Sequence, residues 1–113
     1  SIVYNDQWKI VYLDDTVIIL VRNNRANKKL IDNNPIDETT VDFDPPEESN
    51  KLFSYAHFFA TAGWVKQTKI SYEAILQKDP YHCPVLYNMG SLLSQQSSPL
   101  ASAYQTRYSN YCQ

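Results

Sequence analysis

The sequence predicts an α+β fold, in which an N-terminal β-hairpin precedes four antiparallel α-helices. Three observations lead to this prediction. Before residue 23, apolar residues stand in short runs rich in β-branched and aromatic side chains, which are typical of strands. After Pro46 they recur at the three- and four-residue spacing of a helix. The apolar positions of the third predicted helix also repeat those of the first, 34 residues later.

The hairpin is predicted over Trp8–Arg22, where two strand-like runs flank a pair of aspartates at positions 14 and 15. Aspartate suits a tight turn because its side chain bonds to the nearby backbone and because it tolerates positive φ. Strict alternation places Ile10 and Tyr12 on the same face of the first strand. Residues 2–4 are expected to add a short third strand.

A loop with one short helical turn is predicted between the hairpin and the helices. Asn27 is expected to cap a turn that ends near Ile31, since an asparagine side chain accepts hydrogen bonds from the first free amides of a helix. The remaining stretch of about fifteen residues has a length that usually marks a functional or poorly ordered loop. Val41 and Phe43 are its expected contacts with the core.

Four helices are predicted over residues 47–62, 64–78, 84–96 and 99–112. Asp44 and Glu47 resemble a capping box at the start of the first helix, and Gly63 ends that helix. Prolines mark the other boundaries, because proline stops a helix that precedes it and suits the first turn of one that follows. The chain is therefore divided into a hairpin segment (1–26), a linker (27–46) and a helical domain (47–113).

The helical domain contains a repeat of 34 residues. Its members are, in the first helix, Leu52, Tyr55, Ala56 and Phe59 and, in the third, Leu86, Met89, Gly90 and Leu93. A small residue lets two helices cross closely, while large side chains interlock on either side. In this pattern the chain resembles the tetratricopeptide family, whose small position corresponds to Ala56 and Gly90 and whose turn glycine corresponds to Gly63.

This resemblance covers about half of the chain and implies two antiparallel helix pairs, with a concave groove lined by the first helix of each pair. Tyr55, Phe59 and Tyr87 are then predicted to line an interaction groove for a protein, a peptide or a glycan. For the repeat, the alternative is an ordinary four-helix bundle with coincidental spacing. For the groove, the alternative is buried aromatic packing. Two repeats are fewer than the roughly three that such arrays need. We therefore expect the hairpin, the Val41–Phe43 segment or a second copy of the chain, as in a homo-oligomer, to cover the open face.

The distribution of charge limits the classes of partner that the chain is expected to bind. The formal net charge is −2, which argues against a nucleic acid partner. Four basic residues between Arg22 and Lys29 precede seven acidic residues between Asp32 and Glu48. A solvated linker is our interpretation, and a basic patch near anionic lipid is the alternative. No run reaches the roughly 18 apolar residues of a membrane span, and we expect the chain to be a soluble domain excised from a longer protein.

The sequence carries no catalytic or metal-binding motif. His57 and His82 stand apart from any partner at metal-ligand spacing, and two glycines cannot build a phosphate-binding loop. His82 beside Cys83 offers a nucleophile–base pair only in principle, because neighbours in sequence seldom meet with useful geometry. We therefore expect no catalytic site, no cofactor and no metal in this chain.

In the sequence, the two cysteines stand at the start and at the end of the second helix pair. Cys83 precedes the third predicted helix and Cys112 ends the fourth. These ends lie side by side in an antiparallel pair, so a disulfide between them is geometrically feasible. Two unpaired thiols are the alternative. An oxidising compartment such as the periplasm would permit the bridge.

Residues 8–22 carry a second resemblance. A Trp, a Val-Tyr pair, an acidic turn, an apolar strand and an Arg follow one another in this segment. This order resembles the soluble C-terminal tail of bacterial membrane glycosyltransferases of the GT-C type. The resemblance implies a non-catalytic accessory domain on the periplasmic side of a membrane-embedded parent. A tetratricopeptide-type protein-binding module unrelated to sugar transfer is the alternative.

Overall fold

The computed structural model describes residues 7–14 and 17–113, and it contains an antiparallel hairpin followed by helices. The two strands are β1 (Trp8–Leu13) and β2 (Ile18–Arg22). After a 3-10 turn (Arg25–Asn27), the helices are α1 (Lys28–Asp32), α2 (Ser49–Ala62), α3 (Val65–Lys78), α4 (Cys83–Gln95) and α5 (Ala101–Cys112). The predicted α+β fold is confirmed, and each long helix begins and ends within two residues of its predicted bounds.

Two predictions fall on residues that the structure does not describe. The third strand expected at residues 2–4 and the second turn aspartate at position 15 lie outside the described residues. Within the described part of the chain, none of the helices combines the length and the apolar character needed to cross a bilayer.

The hairpin contains a β-bulge at Val11. Ile10 pairs with Leu20 and Tyr12 pairs with Ile19, so Val11 is an extra residue on β1. Ile10 is buried, whereas Tyr12 is 47% exposed. The expectation that Ile10 and Tyr12 share one face is therefore wrong, because one extra residue moves every later side chain of the strand to the opposite face.

Local hydrogen bonds at the helix starts differ from the predicted caps. Asn24 Oδ1 accepts a hydrogen bond from the backbone N of Asn27 at 3.0 Å, so Asn24 rather than Asn27 caps the short helical segment. The Asn27 side chain instead donates to the carbonyl of Arg22 at 2.9 Å. In the described part of the chain, α2 begins after Glu48 without a side-chain cap, so the capping box predicted from Asp44 is also wrong.

Gly63 ends α2 in the way the sequence predicted. Its φ is 75°, in the left-handed region that favours glycine. This conformation lets the backbone N of Gly63 donate to Ala60 O at 3.1 Å and the backbone N of Trp64 donate to Phe59 O at 2.9 Å. The two bonds satisfy carbonyls that the helix end would otherwise leave free, and the chain turns directly into α3.

The first core lies between the four long helices. Its buried members come from all of them: Leu52, Ala56, Val65, Tyr72, Ile75, Leu76, Val85, Leu86, Met89, Leu92, Leu93 and Ala101. Positions that are 34 residues apart in sequence, such as Leu52 and Leu86, are buried in both helix pairs. At Gly90 an added Cβ would lie 3.0 Å from Gln105 Cγ, which shows how closely α4 approaches α5. Membership of the tetratricopeptide family stays a prediction.

The second core lies between α2 and the N-terminal part of the chain. Ile10, Tyr55, Phe59, Ala62 and Trp64 form its buried centre, and Val41 and Phe43 pack against it. The Phe43 ring centroid is 4.8 Å from that of Phe59 and 5.7 Å from that of Tyr55. Of the three candidates for covering the open helix face, the hairpin and the Val41–Phe43 segment both pack on α2, and a second copy of the chain stays a prediction.

Polar side chains that are buried on α3 are held by local hydrogen bonds. Thr68 Oγ1 donates to Trp64 O at 2.7 Å and Ser71 Oγ donates to Gln67 O at 2.9 Å.

Burial raises the pKa of Tyr72 to about 12, an effect that its hydrogen bond with the Asn88 side chain partly offsets.

We predict that Gly90→Leu destabilises the fold by about 1–3 kcal/mol, because the new side chain would force α4 away from Gln105 on α5. Urea unfolding measures the effect. Ser94→Leu places the same side chain at an exposed position of α4 and should change stability by less than about 0.5 kcal/mol. Equal midpoints for the two variants would contradict the close approach at Gly90.

We also predict a pH effect from Tyr72. Its folded-state pKa of about 12 lies above the ordinary value of 10.0. The protonated hydroxyl therefore adds stability that is fully present below pH 10 and is lost as the pH rises towards 12. Absorbance at 295 nm should show a component with a midpoint near 12. Tyr72→Phe should abolish this component, and Tyr81→Phe, at an exposed position, should keep it.

Candidate functional site

A cleft of about 590 Å³ lies where the hairpin, the segment 41–47 and the first half of α2 meet. Its volume is within the range of ligand pockets in proteins. The lining residues are Leu13, Asp14, Val41, Asp42, Phe43, Asp44, Pro45, Pro46, Glu47, Lys51 and Tyr55. A second hollow of about 390 Å³ adjoins the cleft, since Lys51 and Tyr55 line both.

Burial alternates along the segment 41–47, and this alternation gives the cleft an apolar floor and a charged rim. Val41, Phe43 and Pro45 are partly buried, whereas Asp42 and Asp44 between them are exposed. Side chains of an extended chain point alternately to opposite sides. The apolar members therefore form the floor on the second core, and the carboxylates stand at the rim.

Helix α3 holds the start of this segment in place. The buried Gln67 amide donates through Nε2 to Glu38 O at 2.9 Å and to Val41 O at 3.2 Å. The backbone N of Lys66 donates to the Glu38 carboxylate at 3.2 Å, where a negative charge is favoured by the helix dipole. Gln67 Oε1 has no hydrogen-bond partner among the described residues. The acidic stretch is thus packed on the helices around Glu38–Phe43, and the solvated-linker interpretation fails there.

Leu13 and Asp14, at the end of β1, form a further wall of the cleft. Asp14 Oδ1 accepts from the backbone N of Val17 at 2.8 Å, and its Oδ2 accepts from the Tyr12 hydroxyl at 2.7 Å. The Tyr55 hydroxyl at the floor donates to Asp14 O at 3.3 Å. The carboxylate of Asp14 is therefore occupied in shaping the turn, and the wall is tied to α2.

The rim of the cleft is negatively charged. Asp42, Asp44 and Glu47 stand there, and in the part of the chain that the structure describes none of them forms an ion pair. The nearest basic lining group is Lys51, whose Nζ lies 3.8 Å from Glu48 Oε1. An apolar, aromatic floor below an acidic rim can bind an amphipathic ligand that carries a positive charge.

The residues predicted to line a common groove do not share a surface. Tyr55 is 8% exposed and Phe59 is 0% exposed, because the hairpin and Phe43 cover that face of α2. Tyr87 on α4 is 50% exposed and packs against Tyr108, with ring centroids 5.4 Å apart. The predicted groove is therefore corrected: only Tyr87 lies on the surface, whereas the edge of Tyr55 reaches the cleft.

The first helices of the two pairs expose other aromatic side chains. Phe53 on α2 and Tyr87 on α4 are exposed and are separated by the repeat length of 34 residues. The Phe53 ring lies 5.0 Å from the imidazole of His82. Extending the repeat to its exposed positions could have found this pair from the sequence.

Cys83 and Cys112 are joined by a disulfide, with their Cα atoms 5.7 Å apart. His82 precedes the bridge and caps α4, since its Nδ1 accepts from the backbone N of Val85 at 3.3 Å. Because the Cys83 sulfur is bonded to Cys112, His82 and Cys83 do not form a nucleophile–base pair. Among the described residues, no group of three His, Cys, Asp or Glu side chains is arranged to hold a metal ion.

The basic cluster after β2 is partly engaged in local contacts. The Arg22 guanidinium lies 4.7 Å from the centre of the Trp8 ring, and Lys28 Nζ lies 2.6 Å from Asp32 Oδ2. Both contacts lie at the surface and suit a solvated segment.

No protein-family model, curated protein or solved structure matches this chain.

We predict that replacing both Cys83 and Cys112 by Ser lowers the free energy of unfolding by about 3 kcal/mol, because the bridge closes a loop of roughly thirty residues in the unfolded chain. Thermal or urea unfolding measures the loss. Adding reductant to the wild-type protein should reproduce it, and adding reductant to the double variant should change nothing. Mass spectrometry after alkylation without reduction should find no modified thiol, and two modified thiols would contradict the bridge.

Proposed function

We propose that this chain is a non-catalytic, extracytoplasmic interaction domain that binds a polypeptide segment of a partner in the cleft beside α2. The observation that carries the proposal is the construction of the cleft. The hairpin, the segment 41–47 and α2 meet there. The Tyr55 hydroxyl bonds to Asp14 of the hairpin. Phe43 packs on Phe59 of α2, and Gln67 of α3 bonds to Glu38, just before the segment. A binding site whose walls are already fixed loses little conformational entropy when it is occupied.

The shape of the site favours an extended chain over a compact small molecule. The cleft and the adjoining hollow share Lys51 and Tyr55 and together follow α2. Val17, Ile18 and Phe58 supply further apolar surface in the second hollow. Successive side chains of an extended peptide can thus reach two neighbouring apolar depressions, which is how peptide-binding surfaces obtain specificity.

The disulfide supports the extracytoplasmic assignment. Bridges such as Cys83–Cys112 form and persist in oxidising compartments and are rare where thiols are kept reduced. We propose the periplasmic side of a membrane as the place where the domain acts.

The parent that we propose is a membrane glycosyltransferase-like protein of the GT-C type. Support comes from the order of Trp8, the Val11-Tyr12 pair and Arg22 in the hairpin, which resembles the tail of such enzymes. In that setting the domain is an accessory that positions an acceptor, and the acceptor is a polypeptide or a glycan.

A tetratricopeptide-type protein-binding module unrelated to sugar transfer is the second candidate. The exposed Phe53 and Tyr87, one repeat length apart on the first helices of the two pairs, favour it. On this alternative the partner contacts α2 and α4 rather than the cleft. Mapping the residues that respond to a ligand therefore separates the two proposals.

The test is a titration of the isotope-labelled chain, followed by amide chemical shifts, with end-blocked tripeptides that differ in the central residue. We expect shifts at Val41–Asp44 and Lys51. Lys51→Trp should abolish them because the indole occupies the space that both hollows share. Lys78→Trp makes the same exchange at an exposed position at the end of α3 and should bind as the wild type does.

Two outcomes would contradict the cleft as the binding site. One is the absence of shifts at Val41–Asp44 with every peptide. The other is unchanged binding in Lys51→Trp. Shifts centred on Phe53 and Tyr87 with the peptides would favour the second candidate.

A further inference from the structure

We infer that the cleft selects a basic side chain of its partner, lysine or arginine, and this inference rests on the proposed function. The inference comes from the match between the two layers of the cleft and the two parts of such a side chain. Lysine and arginine have a long apolar stem that packs on hydrophobic surface and a charged head that stays near water or a counter-charge.

The floor suits the stem. Leu13, Val41, Phe43 and the edge of Tyr55 line it, and Pro45 and Pro46 extend it along the segment. Leu13, Val41, Phe43 and Tyr55 belong to the second core, so this part of the floor is formed before a ligand arrives.

The rim suits the head. Asp42, Asp44 and Glu47 are exposed carboxylates on the same cleft. Asp14 is not counted among the carboxylates that contact the charged head, because its two oxygens already accept hydrogen bonds from Val17 N and the Tyr12 hydroxyl. An ammonium or guanidinium group above the floor therefore meets three carboxylates that no described basic residue neutralises.

The opposing charge in the site is weak. Lys51 is the basic residue of the lining, and its ammonium group lies towards Glu48, outside the lining set. Three carboxylates against one partly paired ammonium leave the potential at the rim negative. An acidic ligand side chain would meet like charge, so the same groups that attract lysine exclude glutamate.

Three end-blocked tripeptides test the inference, with leucine on both sides of a central lysine, norleucine or glutamate. Norleucine keeps an unbranched alkyl stem and lacks the charge. We expect the lysine peptide to bind roughly two- to fivefold more tightly than the norleucine peptide, as for an exposed ion pair, and the glutamate peptide to bind most weakly. The advantage of lysine should shrink as salt is raised, because exposed charges are screened.

Charge removal at the rim is the matched experiment on the protein. Asp42→Asn with Asp44→Asn should abolish most of the preference for lysine over norleucine and leave norleucine binding unchanged. The control, Asp32→Asn with Glu73→Gln, removes the same net charge from exposed positions outside the cleft lining and should keep the preference. Urea unfolding of both variants verifies that each is folded.

The outcomes separate the inference from the function on which it rests. Equal affinity for the lysine and norleucine peptides, both mapped to the cleft, would overturn the selection of a basic side chain and leave the cleft as a binding site. Absence of binding by all three peptides would overturn the proposed function itself. Equal loss of preference in the two charge-removal variants would show an effect of net charge, and would overturn the role of Asp42 and Asp44.

Discussion

The contact of Phe43 with Tyr55 and Phe59 is the interaction on which the second core and the cleft depend. It joins the irregular N-terminal part of the chain to a helical array that would otherwise expose the outer face of α2. Edge-on contacts between aromatic rings add to the free energy of burying their area. Because the hairpin packs on the same cluster, the position of β1 and β2 relative to the helices depends on this contact as well.

The cleft is a by-product of this docking. The segment 41–47 packs on α2 without filling the whole space beside the hairpin, and the cleft remains there. The alternation along the segment decides the chemistry of that space. Val41 and Phe43 are held against the core, and the acidic residues between them are turned outward. One segment thus closes the second core and charges the rim of the cleft.

Sequence reasoning succeeded at the helix boundaries, although the local caps that it predicted at Asn27 and Asp44 were wrong. Gly63 ends α2 because few other residues adopt its φ of 75°, and prolines bound the other helices for equally local reasons. It failed where distant residues decide. The bulge at Val11 depends on pairing with β2, and the burial of Tyr55 depends on the docking of Phe43. Helical periodicity marks an apolar face but does not say whether another segment covers it, so the cleft itself was missed.

Gln67 has a consequence for how freely the connecting segment can change in length. Its amide donates to two carbonyls, those of Glu38 and Val41, and these fix one register of the segment on α3. A slip by one position would turn Asp42 towards the core and Val41 towards water, as it would in a strand. Surface loops usually tolerate insertions and deletions. Between Glu38 and Phe43 the insertion or deletion of one residue would instead exchange the buried and the solvated faces. The length of this stretch is therefore fixed by the structure.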